Sequence, residues 1–170
     1  MSTSTGRGGL RGAAAAFTVI LIALFTAVPA ASAAARHRHH SHVEHFLVVT
    51  SDPSPSAVPF ISATGPIHAR GTDTVLSSTR DVFTFPKGSL SVTHHMNKKS
   101  VRNSYDPVTC TFRYTERGTY RVTGGTGSYA HARGHGRYAV RLISIGCDQN
   151  KAPDYFNEEI DAAGPLHPHG

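Results

Sequence analysis

Apolar residues fall on alternate positions through much of the second half of this chain, with glycines interrupting them at short intervals. Cys110, Phe112 and Tyr114 share one face of an extended segment whose other face carries Thr111, Arg113 and Thr115. Tyr138, Val140 and Leu142 alternate in the same way with Arg137, Ala139 and Arg141. A period of two marks strands buried on one side, because successive side chains leave a pleated backbone in opposite directions. Residues 120–123 (YRVT) predict another strand, broken by Gly124, Gly125 and Gly127, and Gly134 and Gly136 precede the run over 137–144. Upstream, 45–50 (HFLVVT) predicts a first strand and 60–69 (FISATGPIHA) a second, broken at Gly65-Pro66. Residues 51–59 are a proline-rich loop, and 71–79 read as polar and turn-rich.

Residues 81–85 (DVFTF) and 90–94 (LSVTH) flank Pro86-Lys87-Gly88-Ser89, which suits a four-residue hairpin connection on a type I turn. The predicted register sets Phe85 opposite Leu90, Phe83 opposite Val92, and Asp81 opposite His94. A slip of one residue would face both phenylalanines with serines. Residues 97–106 read as a polar loop, and 110–120 as a strand folded back at Glu116-Arg117-Gly118. After Cys147 the pattern fades, so 151–170 reads as a tail with a short acidic piece at 157–163, helix or loose strand. No long 3.6-residue stripe and no fixed-period repeat appears. Many short strands with glycine turns predict an all-β chain: a sandwich or a closed barrel. The preferred form is an antiparallel up-and-down eight-stranded β-barrel over 46–150, which leaves no free edge.

The N-terminus changes the picture of where this barrel works. Arg7 and Arg11 lead into an apolar run over 13–28, followed by Pro29 and an A-x-A site at Ala31-Ser32-Ala33. That is the layout of a secretory signal peptide over residues 1–33, removed after Ala33 or Ala35. The run is shorter than the ~20 residues of a spanning helix, so no membrane attachment is expected after cleavage. The predicted location is secreted and extracellular. Residues 34–170 then suffice for one domain with its own core. Cleavage also removes two arginines from a formal charge of +6. Lys98, Lys99 and Arg102 form only a short basic loop, so nucleic acid is not an expected partner. Two cysteines in an exported chain predict one disulfide, Cys110–Cys147, over two free buried thiols. Without a C-x-x-C it would be a staple, not a redox centre. Five of the twelve histidines crowd into 36–45, with His167 and His169 near the other end. Such tracts bind metals weakly, but 34–45 reads as a flexible tail without the fixed geometry a specific metal site needs.

Motifs for chemistry are sparse. Residues 125–130 (GTGSYA) match G-x-G-x-x-A, yet 133–136 (RGHG) cut off the helix that fingerprint requires, so the glycines read as a barrel corner. No nucleophile elbow, zinc-protease motif or clustered carboxylate pair is present, and no cofactor is called for. The candidate catalytic pair is Asp81 and His94, a carboxylate and an imidazole side by side among aromatics, fit for general acid–base work. The alternative is a cross-strand pair that caps the core. Phe83, Phe85, Val92, Phe112 and Tyr114 are the candidate ligand-binding residues.

Three stretches then carry a resemblance: TGPIHARGTD at 64–73, DVFTFPKGSL at 81–90, and GTYRVTGGTGSYAHARGHGRY at 118–138. The most diagnostic piece is GGTG with an aromatic after it, then A-x-G at 132–134. Over roughly residues 46–144 the chain resembles the allene oxide cyclase-like and dirigent-like barrel superfamily, and most closely its small exported bacterial members. The resemblance implies an eight-stranded antiparallel barrel with an apolar cavity, often in a homo-oligomer. It implies no catalytic residues, because those of the plant cyclase do not align. The leading functional expectation is an exported module that binds a small apolar or amphipathic molecule. A cyclase or isomerase that orients a reactive substrate is the alternative, and a barrel filled by its own side chains a third.

Overall fold

Successive strands in this chain pair with their sequence neighbours almost throughout, and the last returns to the first. The computed structural model describes residues 42–148 and 150–169. The predicted signal peptide and most of the histidine-rich tract lie outside them. The strands are β1 (His42–Thr50), β2 (Phe60–Thr64), β3 (Ala69–Ser77), β4 (Arg80–Phe85), β5 (Gly88–Met96), β6 (Arg102–Asp106), β7 (Thr111–Gly125), β8 (Arg133–Ile145) and β9 (Tyr155–His167). All pairings are antiparallel, in the order β5-β4-β3-β2-β1-β9-β8-β7-β6 with β5 also paired to β7. The β5–β7 contact closes eight strands into an up-and-down barrel, as the alternation and turn spacing predict. Closure satisfies the backbone groups that an open sheet would leave at its edges. Among the described residues no helix is long and apolar enough to cross a membrane.

The ninth strand is an extension. Along one edge of β7, β5 pairs with residues 118–125 and β6 with 111–115. They lie end to end, with 97–101 looped out between them. The loop is tied back at Arg117, whose N–H donates to Ser100 Oγ (2.8 Å) and whose carbonyl accepts from Asn97 N (2.8 Å). Beyond the barrel, β6, β7, β8 and β9 continue as a sheet flap. The disulfide Cys110–Cys147 sits on this flap and joins the β6–β7 turn to the segment after β8.

Several boundaries differ from the sequence reading. The barrel does not end at 150: β9, within the predicted tail, pairs with both β1 and β8 and is the closing strand. His42 and His45 belong to β1 rather than to a flexible tail. Residues 71–77 are strand, not turn, and 102–106 form β6 within the predicted polar loop. β7 runs unbroken through Glu116-Arg117-Gly118, and Gly134 and Gly136 lie inside β8.

The β4–β5 hairpin is shorter than predicted. Phe85 pairs with Gly88, Phe83 with Leu90 and Asp81 with Val92, a register two residues from the expected one. Pro86 and Lys87 alone make the connection, because Gly88 adopts φ 142 where a Cβ would stand 2.1 Å from the Thr126 carbonyl. Ser89 then locks the hairpin onto the β7–β8 corner: its N–H donates to Thr126 Oγ1 (3.1 Å) and its carbonyl accepts from Thr126 N (2.9 Å). A shift of two preserves the face of every residue, so Phe83, Phe85, Leu90 and Val92 are all buried as expected.

The core fills one end. Phe46, Ile61, Ala63, Leu90, Val122 and Leu166 are almost fully enclosed, and Ile67 folds in from the β2–β3 loop. Burying a side chain such as Phe46 contributes about 2–3 kcal/mol. Phe85 meets Tyr129 edge-on at 6.2 Å over this end, which is therefore shut.

Candidate functional site

The opposite end is open. The inward positions of β1, β3, β4, β5, β7, β8 and β9 surround a cavity of about 350 Å³ there. Val48, Phe83, Val92, Val140, Ile160 and Ala162 make its apolar wall. Phe46 packs beneath, its ring 5.3 Å from Phe83 and 6.1 Å from Tyr120.

Five titratable side chains other than tyrosine line the same cavity: Asp73 on β3, Asp81 on β4, His94 on β5, Glu116 on β7 and Glu158 on β9. Neither lysine nor arginine is among the lining residues. His94 Nε2 lies 3.1 Å from Asp81 Oδ2, although the two stand diagonally rather than directly opposite. The hydrogen bond to Asp81 raises the His94 pKa above its ordinary value, against the effect of burial. Glu116 accepts from Tyr114 Oη (2.5 Å) and Tyr138 Oη (3.0 Å), and the Tyr138 ring meets His94 edge-on at 5.8 Å. The Glu116 hydrogen bond pushes Tyr114 up to about 12, and burial followed by the same carboxylate pushes Tyr138 upward too. Burial, then Glu116, raises Glu158.

Asp73 and Tyr120 stand apart. Asp73 is only 4% exposed and Tyr120 6%, yet Asp73 Oδ1 and Tyr120 Oη have no hydrogen-bond partner. Burial, reinforced by Asp81 and opposed by His94, lifts the Asp73 pKa to about 7. Burial and the charge of Glu44 lift Tyr120 to about 12.

Glycines give the tyrosines their places. Gly118 pairs with Tyr138, and Tyr120 with Gly136. A Cβ on Gly118 would stand 2.4 Å from Tyr138 Cε1, and one on Gly136 2.5 Å from Tyr120 Cε1. Each ring thus lies over the strand opposite, which only a residue without a side chain permits.

The structure brings the predicted residues Asp81, His94, Phe83, Val92 and Tyr114 together around one cavity. Phe85 and Phe112 are not in its lining. Phe85 faces inward but lies at the shut end against Tyr129, since β4 is directed away from the mouth. Phe112 is 36% exposed on the flap, because β7 overshoots the barrel at its N-terminal end. Sequence reasoning missed Asp73, Glu116, Glu158, Tyr120 and Tyr138. A signal existed for Glu158: Phe156, Glu158, Ile160 and Ala162 keep the period of two through the supposed tail. The glycines of 125–130 form a corner: a 3-10 turn, Gly127–Tyr129, is followed after three residues by β8. Among the described residues no group of three or more His, Cys, Asp or Glu side chains could hold a metal ion.

Compared with protein-family models, with curated proteins and with solved structures, the chain matches none.

Proposed function

We propose that this protein is an exported barrel whose open cup binds one small amphipathic molecule. The carrying observation is the cup itself: an apolar wall with a rim of ionisable groups, lined among others by Asp73 and Tyr120, whose Oδ1 and Oη are buried and unpartnered. Such atoms are uncommon in folded proteins, and a bound ligand is one way to satisfy them. The disulfide supports export to an oxidising compartment. Nile red, a neutral dye that brightens in apolar surroundings, tests the reading. Saturable binding at one dye per barrel is expected, and Ala162→Phe, which fills the cup between Phe46 and Tyr138, should abolish it. Dye binding unaffected by that substitution would refute the cup as the site. A native mass spectrum of the exported protein reads copurified ligand and self-association together.

A second reading rests on the contact between His94 and Asp81. An imidazole held by a carboxylate beside an apolar cavity is equipped to move a proton on a bound substrate, which suits an allene oxide cyclase-like or dirigent-like isomerase that steers a reactive substrate. Asp81→Asn and His94→Ala separate the readings: a binder keeps its ligand, whereas an enzyme loses turnover.

A further inference from the structure

We infer that the ligand is an organic cation: an ammonium or similar N–H-bearing positive group attached to an apolar body. This deepens the cup-binding reading and rests on it. The charges around the cavity are unbalanced. Asp73, Asp81, Glu116 and Glu158 contribute four carboxyl groups, and His94 is the one basic side chain facing them. His94 is committed to Asp81, and both Glu116 oxygens already accept tyrosine hydroxyls. That leaves Asp73 and Glu158 without a lysine or arginine in the lining, inside a chain whose overall charge is positive.

Asp73 narrows the chemistry. It lines the cup, and its Oδ1 is buried and accepts nothing. A ligand N–H can donate to it, and a positive charge on that nitrogen offsets the carboxyl groups on β3, β4, β7 and β9. A carboxylate ligand would instead add a fifth acid to a poorly solvated site, and a hydrocarbon would leave Oδ1 unpartnered. The wall of Val48, Val140, Ile160 and Ala162 takes the apolar body.

Three probes of one shape and different charge test this on the mature protein: 1-naphthylmethylammonium, 1-naphthylmethanol and 1-naphthoate, titrated by calorimetry at pH 8. The ammonium should bind about tenfold tighter than the alcohol, the scale of one charge-assisted hydrogen bond, and naphthoate weakest. Asp73→Asn should shrink the ammonium preference to about threefold or less, while Asp106→Asn, on the exposed β6, should preserve it. Alcohol or naphthoate binding as tightly as the ammonium overturns the cationic class and leaves the cup reading standing. If none of the three binds, the cup reading falls as well. The wild-type ranking decides the matter even if the Asp73 variant does not fold.

Discussion

Glu44 is a carboxyl group fully enclosed at the shut end of the barrel, at 0% exposure, and replacing it by glutamine should raise stability only at high pH. It faces in from β1, opposite Gly164 of β9, and its Oε2 accepts the Ile67 N–H at 2.6 Å. Oε1 has no partner. Burial outweighs the backbone hydrogen bonds and lifts the pKa from 4.5 to about 7. A raised pKa means that the folded state holds a proton which the unfolded state releases earlier. The associated stability is present in full below about pH 4.5 and is lost as the pH rises to about 7. At 1.36 kcal/mol per pH unit, the loss is about 3 kcal/mol. Glutamine keeps an oxygen for Ile67 and presents N–H donors where the protonated acid presents O–H, so both carry a similar unsatisfied donor at Oε1. Glu44→Gln should therefore match the wild type near pH 4 and exceed it by up to about 3 kcal/mol near pH 8. Urea unfolding at pH 4, 6 and 8, with the disulfide intact and unchanged m-values, measures this difference. Glu44 is not among the charges that perturb Asp73, so the rest of the pH profile should cancel between the two proteins. A variant equally destabilised at all three pH values would refute the reasoning, because its cost would then be steric.

The wild-type profile should slope the same way: Asp73, Glu158 and His94 all have raised pKa values, so folding stability should fall between pH 5 and 8. A flat or rising urea midpoint over that interval would contradict it. Replacing Cys110 and Cys147 together by serine should cost about 4 kcal/mol, the chain-entropy value for a separation of 37 residues, seen as a lower denaturation midpoint. Neither cysteine lines the cup, so loss of Nile red binding by the folded variant would mean that the flap shapes the site. Gly118→Ala should cost at least about 2 kcal/mol, because the new methyl meets both the Tyr138 ring and the His95 carbonyl. Gly124→Ala, whose Cβ would meet only Arg133 Nη1 at 3.4 Å, is the matched control, and equal losses at the two sites would defeat the explanation.

The sequence was legible wherever an inward position is apolar. Phe83, Phe85, Leu90 and Val92 announce β4 and β5, and Tyr138 and Val140 announce β8. The hairpin register slipped because Gly88 permits a two-residue connection, and its contact with Thr126 is a long-range fact. The misreadings of β3, β7 and β9 share a cause. β3 turns Gly71 and Asp73 inward, β7 turns Glu116 and Gly118 inward, and β9 turns Glu158 and Gly164 inward. A polar or absent side chain at a core-facing position erases the alternation by which strands are recognised, and mimics a turn. Asp81 and His94 were found because apolar residues, Phe83 and Val92, flank them on the same face; Asp73 was not, because its inward neighbour Gly71 is a glycine.

That coincidence has a physical basis, and it bears on which of three barrels this is: filled, binding or catalytic. A filled barrel would pack bulky apolar residues at its inward positions, as Phe46, Ile61, Leu90 and Leu166 do at the shut end. At the mouth the same strands carry acids, tyrosines lying over glycines, and short side chains such as Ala162. These choices forgo packing that the shut half shows to be attainable, and each leaves space or an ionisable group facing the same cavity. Stability alone does not account for them, since burying Asp73 raises its pKa and leaves one oxygen unpartnered. Departures from local folding rules concentrate where a protein does its work, and here they converge on a single cup. Glu44 is the exception that marks the limit of this reasoning: it is equally buried, but its oxygen holds the Ile67 loop that shuts the other end. A buried acid that closes a loop is therefore a structural group, whereas Asp73, which closes nothing, is the one to test with a ligand.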